Sequence, residues 1–254
     1  MAIITLTSDF GHRDAYAAIV KASILGLDPT ISIIDISHEI EAANIAHGAF
    51  VLNSAYRNFP GNTVHIVAVD SLGGENSKII AAEIEGHFFI GADNGLFSLI
   101  SEREAENVII IEQEIPSTFP ARDSMAAAAV NLSGGALLEE LGEEYSKMKK
   151  FFKRIAKANK EEIIGHVAHI DNYGNLITNI KQNDFEFLVE GKKYIIGIGR
   201  EQLDYINKST NEVEPGDCFV LFNHLGVLEI GIKNGHAAQL LGMQYDSQVW
   251  IKFS

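Results

Sequence analysis

Cysteine is almost absent from this chain of 254 residues: Cys218 stands alone. An internal disulfide and a cysteine-based zinc cluster are both excluded, and a reducing compartment is implied. Between Asp217 and Phe219, Cys218 reads as a small buried hydrophobe. Basic residues are also scarce, with 20 Lys and Arg against 34 Asp and Glu, a formal net charge of −14. Nucleic acid and anionic membrane both require a cationic face, so neither is expected as a partner. No apolar run reaches the roughly 18 residues of a membrane span. The opening MAIITLTSDF lacks the basic region and long apolar core of a signal peptide, so a cytoplasmic protein is expected. HExxH and Cys/His metal spacings, a P-loop and a G-x-S-x-G elbow are all missing. No bound metal and no cofactor are therefore expected.

What remains is a chain with 46% hydrophobic residues, enough for a sizeable core. Its first part alternates short β-branched runs with helical spacing. Strands are expected at residues 2–7, 31–36, 63–69, 79–84, 88–91 and 108–111, and helices at 14–27, 45–55 and 123–132. That order predicts an α/β domain over residues 1–150 with a largely parallel sheet and helices on its faces. Residues 138–162 are dense in Glu and Lys and read as a solvated helix or linker. Beyond them, residues 160–254 hold strands at 164–170, 176–180, 193–198, 218–223, 227–232 and 248–252. One helical stretch interrupts them, at 237–241. A small C-terminal all-β barrel domain is expected.

In open α/β sheets, ligands collect beyond the carboxyl ends of the strands. Asp9 follows the first strand and Asp70 the third. A carboxylate there can accept both hydroxyls of a ribose, and equally can cap a helix or form a turn. Ser71, Leu72, Gly73 and Gly74 make a turn that lets backbone approach a ligand. His38 and His65 read as structural more readily than catalytic. Asp171-Asn172-Tyr173-Gly174-Asn175 has the composition of a hairpin turn. It also offers a carboxylate for a ligand ammonium and an amide for an adenine edge.

Seven blocks, in order, carry a resemblance: TLTSDFGHRDAY at 5–16, IIDISHEI at 33–40, FPGNTVHIVAVDSLGG at 59–74, FIGADNGL at 89–96, STFPARDSMAAAA at 117–129, IDNYGNLITNI at 170–180 and LGVLEIGIKNGHAAQLLG at 225–242. In these the chain resembles the S-adenosylmethionine hydroxide adenosyltransferases, relatives of the fluorinase and chlorinase. The resemblance implies a homotrimer, with the site between one subunit's N-terminal domain and its neighbour's C-terminal domain. It implies that Asp9 holds the ribose hydroxyls, Asp171 the methionine ammonium and Asn175 the adenine. Tyr173 corresponds to an aromatic near the base, His236, Ala237 and Ala238 to a segment whose backbone reads adenine, and Tyr16 to the methionine end.

The reaction so implied is attack of water or hydroxide on the 5′ carbon of S-adenosylmethionine, releasing adenosine and methionine. Asp70 corresponds to the carboxylate of the water-binding set. That set's arginine position falls at Ser77, with Lys78 beside it, and its histidine is replaced by Pro120. Asp70 and Lys78 are thus the candidate catalytic pair. The alternative is a non-catalytic binder of S-adenosylmethionine or adenosine. Halide use is disfavoured, because Asp70 stands where the halogenases carry a tyrosine, Ala121 replaces a position that can carry a halide-binding hydroxyl, and the stretch from Asp70 to Asp93 is short. Ala43 stands where the family has an aromatic near the pocket.

Overall fold

The computed structural model describes residues 2–71, 78–112 and 117–254. The chain divides into two compact units, Met1–Phe152 and Lys153–Ser254. In the first, the elements run β1 (Ile3–Ser8), α1 (Tyr16–Leu27), β2 (Ser32–Ser37), α2 (Ile45–Ala55), β3 (Val64–Ala68), β4 (Ile79–Ile84) and β5 (His87–Ala92). They continue with α3 (Phe97–Ile100), β6 (Asn107–Ile111), α4 (Ala126–Ser133) and β7 (Gly142–Glu144). The strands form one seven-stranded sheet in the order β2-β1-β3-β5-β4-β6-β7. The β2-β1-β3-β5 half is parallel, while β4 and β7 run antiparallel to their neighbours.

Period-two burial explains why the sheet is covered on both faces. Ile4, Leu6, Ile66 and Ile90 pack against Val20 and Ile24 of α1 and the alanines of α4. Val67, Ile80 and Phe89, on the other face, pack against Ala49 and Leu52 of α2. Each such fully buried large side chain contributes about 1.5–3 kcal/mol. Ser8 pairs with Ala68 and Thr7 with Ser37, so the carboxyl ends of β1, β2 and β3 finish side by side. The residues just beyond them, Asp9, His38 and Asp70, share one rim of the sheet.

The second unit contains β8 (Lys157–Ala158), β9 (Glu162–Ile170), β10 (Leu176–Lys181), α5 (Gln182–Val189), β11 (Tyr194–Ile198) and β12 (Glu201–Leu203). It ends with β13 (Cys218–Phe222), β14 (Val227–Ile232), α6 (Ala237–Leu240) and β15 (Gln248–Phe253). The order is β12-β11-β15-β9-β10-β14-β13, with β8 added beside β9. All pairings are antiparallel, and the sheet curls into a half-barrel around Ile163, Val167, Leu176, Ile196, Ile230 and Ile251. The nine-residue β9 serves both halves: Glu162–His166 pair with β15, and residues 167–170 with β10.

Three departures from the sequence reading concern helices, the first being the four-residue α3, which was not expected. Helix α5 falls where only turns were expected; its core contact is Phe185, with Leu188 and Val189 packed beside it at helical spacing. The charged stretch 138–162 contains no α-helix: it is a 3-10 turn (Leu138–Glu140), the short β7 and β8, and connecting chain. Among the described residues, no helix is long and apolar enough to cross a membrane. Burial pushes the Cys218 thiol up to about 11, which keeps it protonated and unreactive.

Candidate active site

Asp9 begins the site. It leaves the buried β1, and its Oδ2 accepts two backbone N–H groups, from Ala43 at 2.9 Å and Asp70 at 3.1 Å. Both donors lie in the left-handed region, with φ +58° at Ala43 and +48° at Asp70. Left-handed backbone at a non-glycine residue costs about 1–2 kcal/mol, so these are two strained positions serving one oxygen. Together they draw the loops after β2 and β3 onto the end of β1. No described residue bonds to Asp9 Oδ1, which leaves that oxygen for a ligand donor. The sequence named Asp9 and Asp70; the backbone service of Ala43 had no sequence signal, since a left-handed alanine looks like any other.

Asp70 is exposed beside Asp9. Residues 72–77, which include the expected glycine turn and Ser77, lie outside the described residues. Lys78 resumes the chain with its Nζ 4.5 Å from the centre of the Tyr145 ring. Tyr145 in turn donates to Asp93 Oδ2 at 2.9 Å. Among the described residues no ion pair joins Lys78 to Asp70, so the structure does not bring the expected catalytic pair together.

Tyr16, half exposed at 50%, stands at the first turn of α1 in an aromatic trio. Phe10 lies 5.7 Å from it, and Phe119 lies 5.6 Å from Tyr16 and 5.7 Å from Phe10, between ring centres. Phe119 precedes the buried Pro120, which opens a π-helical turn over Ala121–Met125. Such turns insert one extra residue into a helix and recur at functional sites. Arg122 and Asp123 of this turn are exposed and pair with each other at 2.5 Å.

A second group of candidate residues lies in the other unit. The Asp171–Asn175 turn joins β9 to β10 and is bound by its own first residue. Asp171 Oδ1 accepts the N–H groups of Tyr173 at 3.0 Å and Asn175 at 2.8 Å. Gly174 adopts φ +83° with the His236 ring against it; an added Cβ would lie 2.3 Å from His236 Nδ1. The N–H of Ala238 donates to the Gly174 carbonyl at 2.9 Å, tying α6 to the turn. His236 caps α6 by accepting the Gln239 N–H. Asp171, Asn175, His236, Ala237 and Ala238 are therefore one cluster, from which Tyr173 projects at 77% exposure.

Glu229 completes this cluster and escaped the sequence reading. The Asn175 amide donates to Asp171 Oδ2 at 3.1 Å and to Glu229 Oε1 at 3.2 Å. Asn223 holds the other Glu229 oxygen at 3.1 Å. Its one signal was a carboxylate inside the otherwise apolar strand VLEIGI. With both amide hydrogens engaged, Asn175 offers a ligand only its carbonyl oxygen. Among the described residues no group of three or more His, Cys, Asp or Glu side chains is placed to hold a metal.

Two family models span most of the chain. The SAM hydroxide adenosyltransferase N-terminal domain matches residues 4–142, and the C-terminal domain of the same family matches residues 165–250. The chain belongs to the SAM hydroxide adenosyltransferase family. Among its relatives in that family is the (R)-S-adenosyl-L-methionine hydrolase of Methanocaldococcus jannaschii, 34% identical over 98% of this chain and 95% of that protein. The fluorinase of an Actinoplanes species is 24% identical over 90% of each chain. A crystal structure of an uncharacterized conserved protein from Thermotoga maritima superposes with a TM-score of 0.90. It is 30% identical and is covered over 99% of its length and 98% of this adenosyltransferase-family chain.

Proposed function

We propose that this chain hydrolyses S-adenosylmethionine to adenosine and L-methionine. The relative from Methanocaldococcus, a named S-adenosylmethionine hydrolase aligned over nearly the whole chain, carries that reading. The site chemistry supports it. Asp9 holds one oxygen on two fixed N–H groups and leaves the other for the ribose hydroxyls.

The reaction asks little of a protein beyond alignment. A water oxygen forms a bond to the 5′ carbon. The carbon–sulfur bond breaks, its electron pair goes to the sulfonium, and methionine leaves as a neutral thioether. The water's proton passes to base or solvent. No acid is needed on the leaving group, so a fixed ribose and an oriented water supply most of the catalysis. We assign water orientation to Asp70, whose backbone is tied to the ribose carboxylate by its own N–H. Lys78, which lies on the Tyr145 ring, is the candidate cation and would have to leave that ring to act.

Asp171 and Glu229 give the second cluster a negative character suited to an ammonium, and Asn175 presents an acceptor to the adenine amino group. In this reading Tyr173, His236, Ala237 and Ala238, which adjoin the same turn, serve the base, and Tyr16 with its aromatic neighbours serves the methionine end. In this reading S-adenosylmethionine is the substrate and no metal or cofactor takes part. The chain acts in the cytoplasm as a homotrimer, which light scattering tests; a monomer at working concentration contradicts the trimer.

The test of the reaction is incubation of pure protein with S-adenosylmethionine and chromatography of the products. Equal adenosine and methionine, absent from a heat-killed control, is the expected result. Pro120 offers no proton-transfer group and Lys78 rests on Tyr145, which favours one second reading, a binder without turnover. Calorimetric binding with no adenosine released would establish that instead.

A further inference from the structure

The carboxyl ends of β1 and β2 carry a chain of side chains that the reaction above does not use. Ser8 Oγ lies 2.6 Å from His38 Nδ1, and the two residues are 2% and 1% exposed. His38 Nε2 faces Asp35 Oδ1 at 3.2 Å, too obliquely for a hydrogen bond, and Lys21 Nζ donates to Asp35 Oδ2 at 2.5 Å. The Phe10 N–H donates to Ser8 Oγ at 3.4 Å, and the Gly11 N–H donates to the His38 carbonyl at 2.7 Å. Burial holds His38 below the ordinary histidine value, against the opposing pull of Asp35, so the ring is neutral. Assigning the ring proton to Nε2, on the side of the carboxylate, leaves Nδ1 to accept from the Ser8 hydroxyl.

A serine, histidine and aspartate in this order suggest acyl transfer. That use fails here, because Ser8 is buried and the 5′ carbon of the substrate is saturated, with no carbonyl to attack. The array has a different consequence. Ser8 immediately precedes Asp9, so fixing its side chain fixes the backbone that bears the carboxylate. The loop after β2, pinned through both the ring and the carbonyl of His38, is the loop that carries Ala43, whose N–H orients Asp9 Oδ2. Ser8, His38, Phe10 and Ala121 also border one small cavity.

We propose that His38, acting through Ser8, is a positioning residue that aims the Asp9 carboxylate at the ribose hydroxyls. The inference rests on the adenosyl reading of the site. Its mark is selective: disturbing His38 weakens recognition of the two hydroxyls and leaves recognition of the rest of the nucleoside alone. A residue that only supports the fold affects both alike.

Calorimetry of the full-length protein with adenosine and with 2′,3′-dideoxyadenosine separates the cases. The wild type is expected to prefer adenosine by about 10- to 100-fold, the range for hydrogen bonds to a charged group. His38→Ala reduces that preference to about two-fold or less, with dideoxyadenosine affinity unchanged. His38→Asn, whose carbonyl oxygen replaces Nδ1 as the acceptor for Ser8, restores most of it. Ser8→Ala, which deletes a single hydroxyl, behaves like His38→Ala and serves if that variant does not fold. Full wild-type preference in His38→Ala or Ser8→Ala overturns the proposal while leaving the adenosyl site standing. A wild type that binds neither nucleoside overturns the site reading, and this inference with it.

Discussion

At the residue scale the proposed function turns on Asp9. Asp9→Asn keeps the shape, and the amide oxygen must stay on the Ala43 and Asp70 N–H groups, because an NH2 cannot accept them. The amide hydrogens then face the ribose, and the charge is gone. Losing about 1.5–3 kcal/mol of charge-assisted bonding raises the dissociation constant for adenosine about 10- to 100-fold without lowering the melting temperature. Calorimetry and a thermal melt check both halves. Asp70→Asn is expected to act on rate instead: kcat falls about 10- to 100-fold while KM stays within a few-fold. Steady-state kinetics showing the reverse split would move Asp70 from the reaction to binding. These aspartates were legible because a carboxylate ending a β-branched run is conspicuous. Glu229 and the backbone of Ala43 were not, since their roles come from partners 54 and 34 residues away in the chain.

At the scale of elements, β1, β3 and β5 share a buried polar seam. Thr5 Oγ1 lies 2.7 Å from His65 Nδ1, and His65 Nε2 lies 3.2 Å from His87 Nδ1. Burial, with His87 adding to it, pushes His65 from 6.5 down to about 3. The unfolded chain therefore binds more protons than the folded one between those values. Stability is complete above the upper value and falls on acidification below it, by about 1.4 kcal/mol per pH unit for this one group. Urea unfolding at neutral and mildly acidic pH measures the slope, and an unchanged midpoint would contradict a neutral buried His65. The turn after β9 gives a second check. Gly174→Ala places a Cβ at φ +83° and against His236, at a cost of about 1–3 kcal/mol in the melt. Most elements could be read because they repeat every two or 3.6 residues. Helix α5 has only eight residues, and β7 is Gly-Glu-Glu. Such a segment becomes a strand only because β6 offers it an unpaired edge, which is a tertiary fact. The π turn after Pro120 is equally silent in sequence.

For the whole molecule, the proposed function assigns the ribose to the sheet unit and the amino acid and base to the acidic turn of the curled β unit. The net charge of −14 agrees with a cationic substrate and with no polyanionic partner. If alignment does the work, as the proposed reaction has it, exhaustive dialysis against a chelator is expected to leave the hydrolysis rate unchanged. The account depends on where the new bond forms, and heavy-oxygen water reports that directly. Hydrolysis in oxygen-18 water, followed by mass spectrometry, is predicted to put one label in the 5′ hydroxyl of adenosine and none in methionine. Adenosine without the label, or turnover that yields no adenosine, would contradict attack of water at the 5′ carbon.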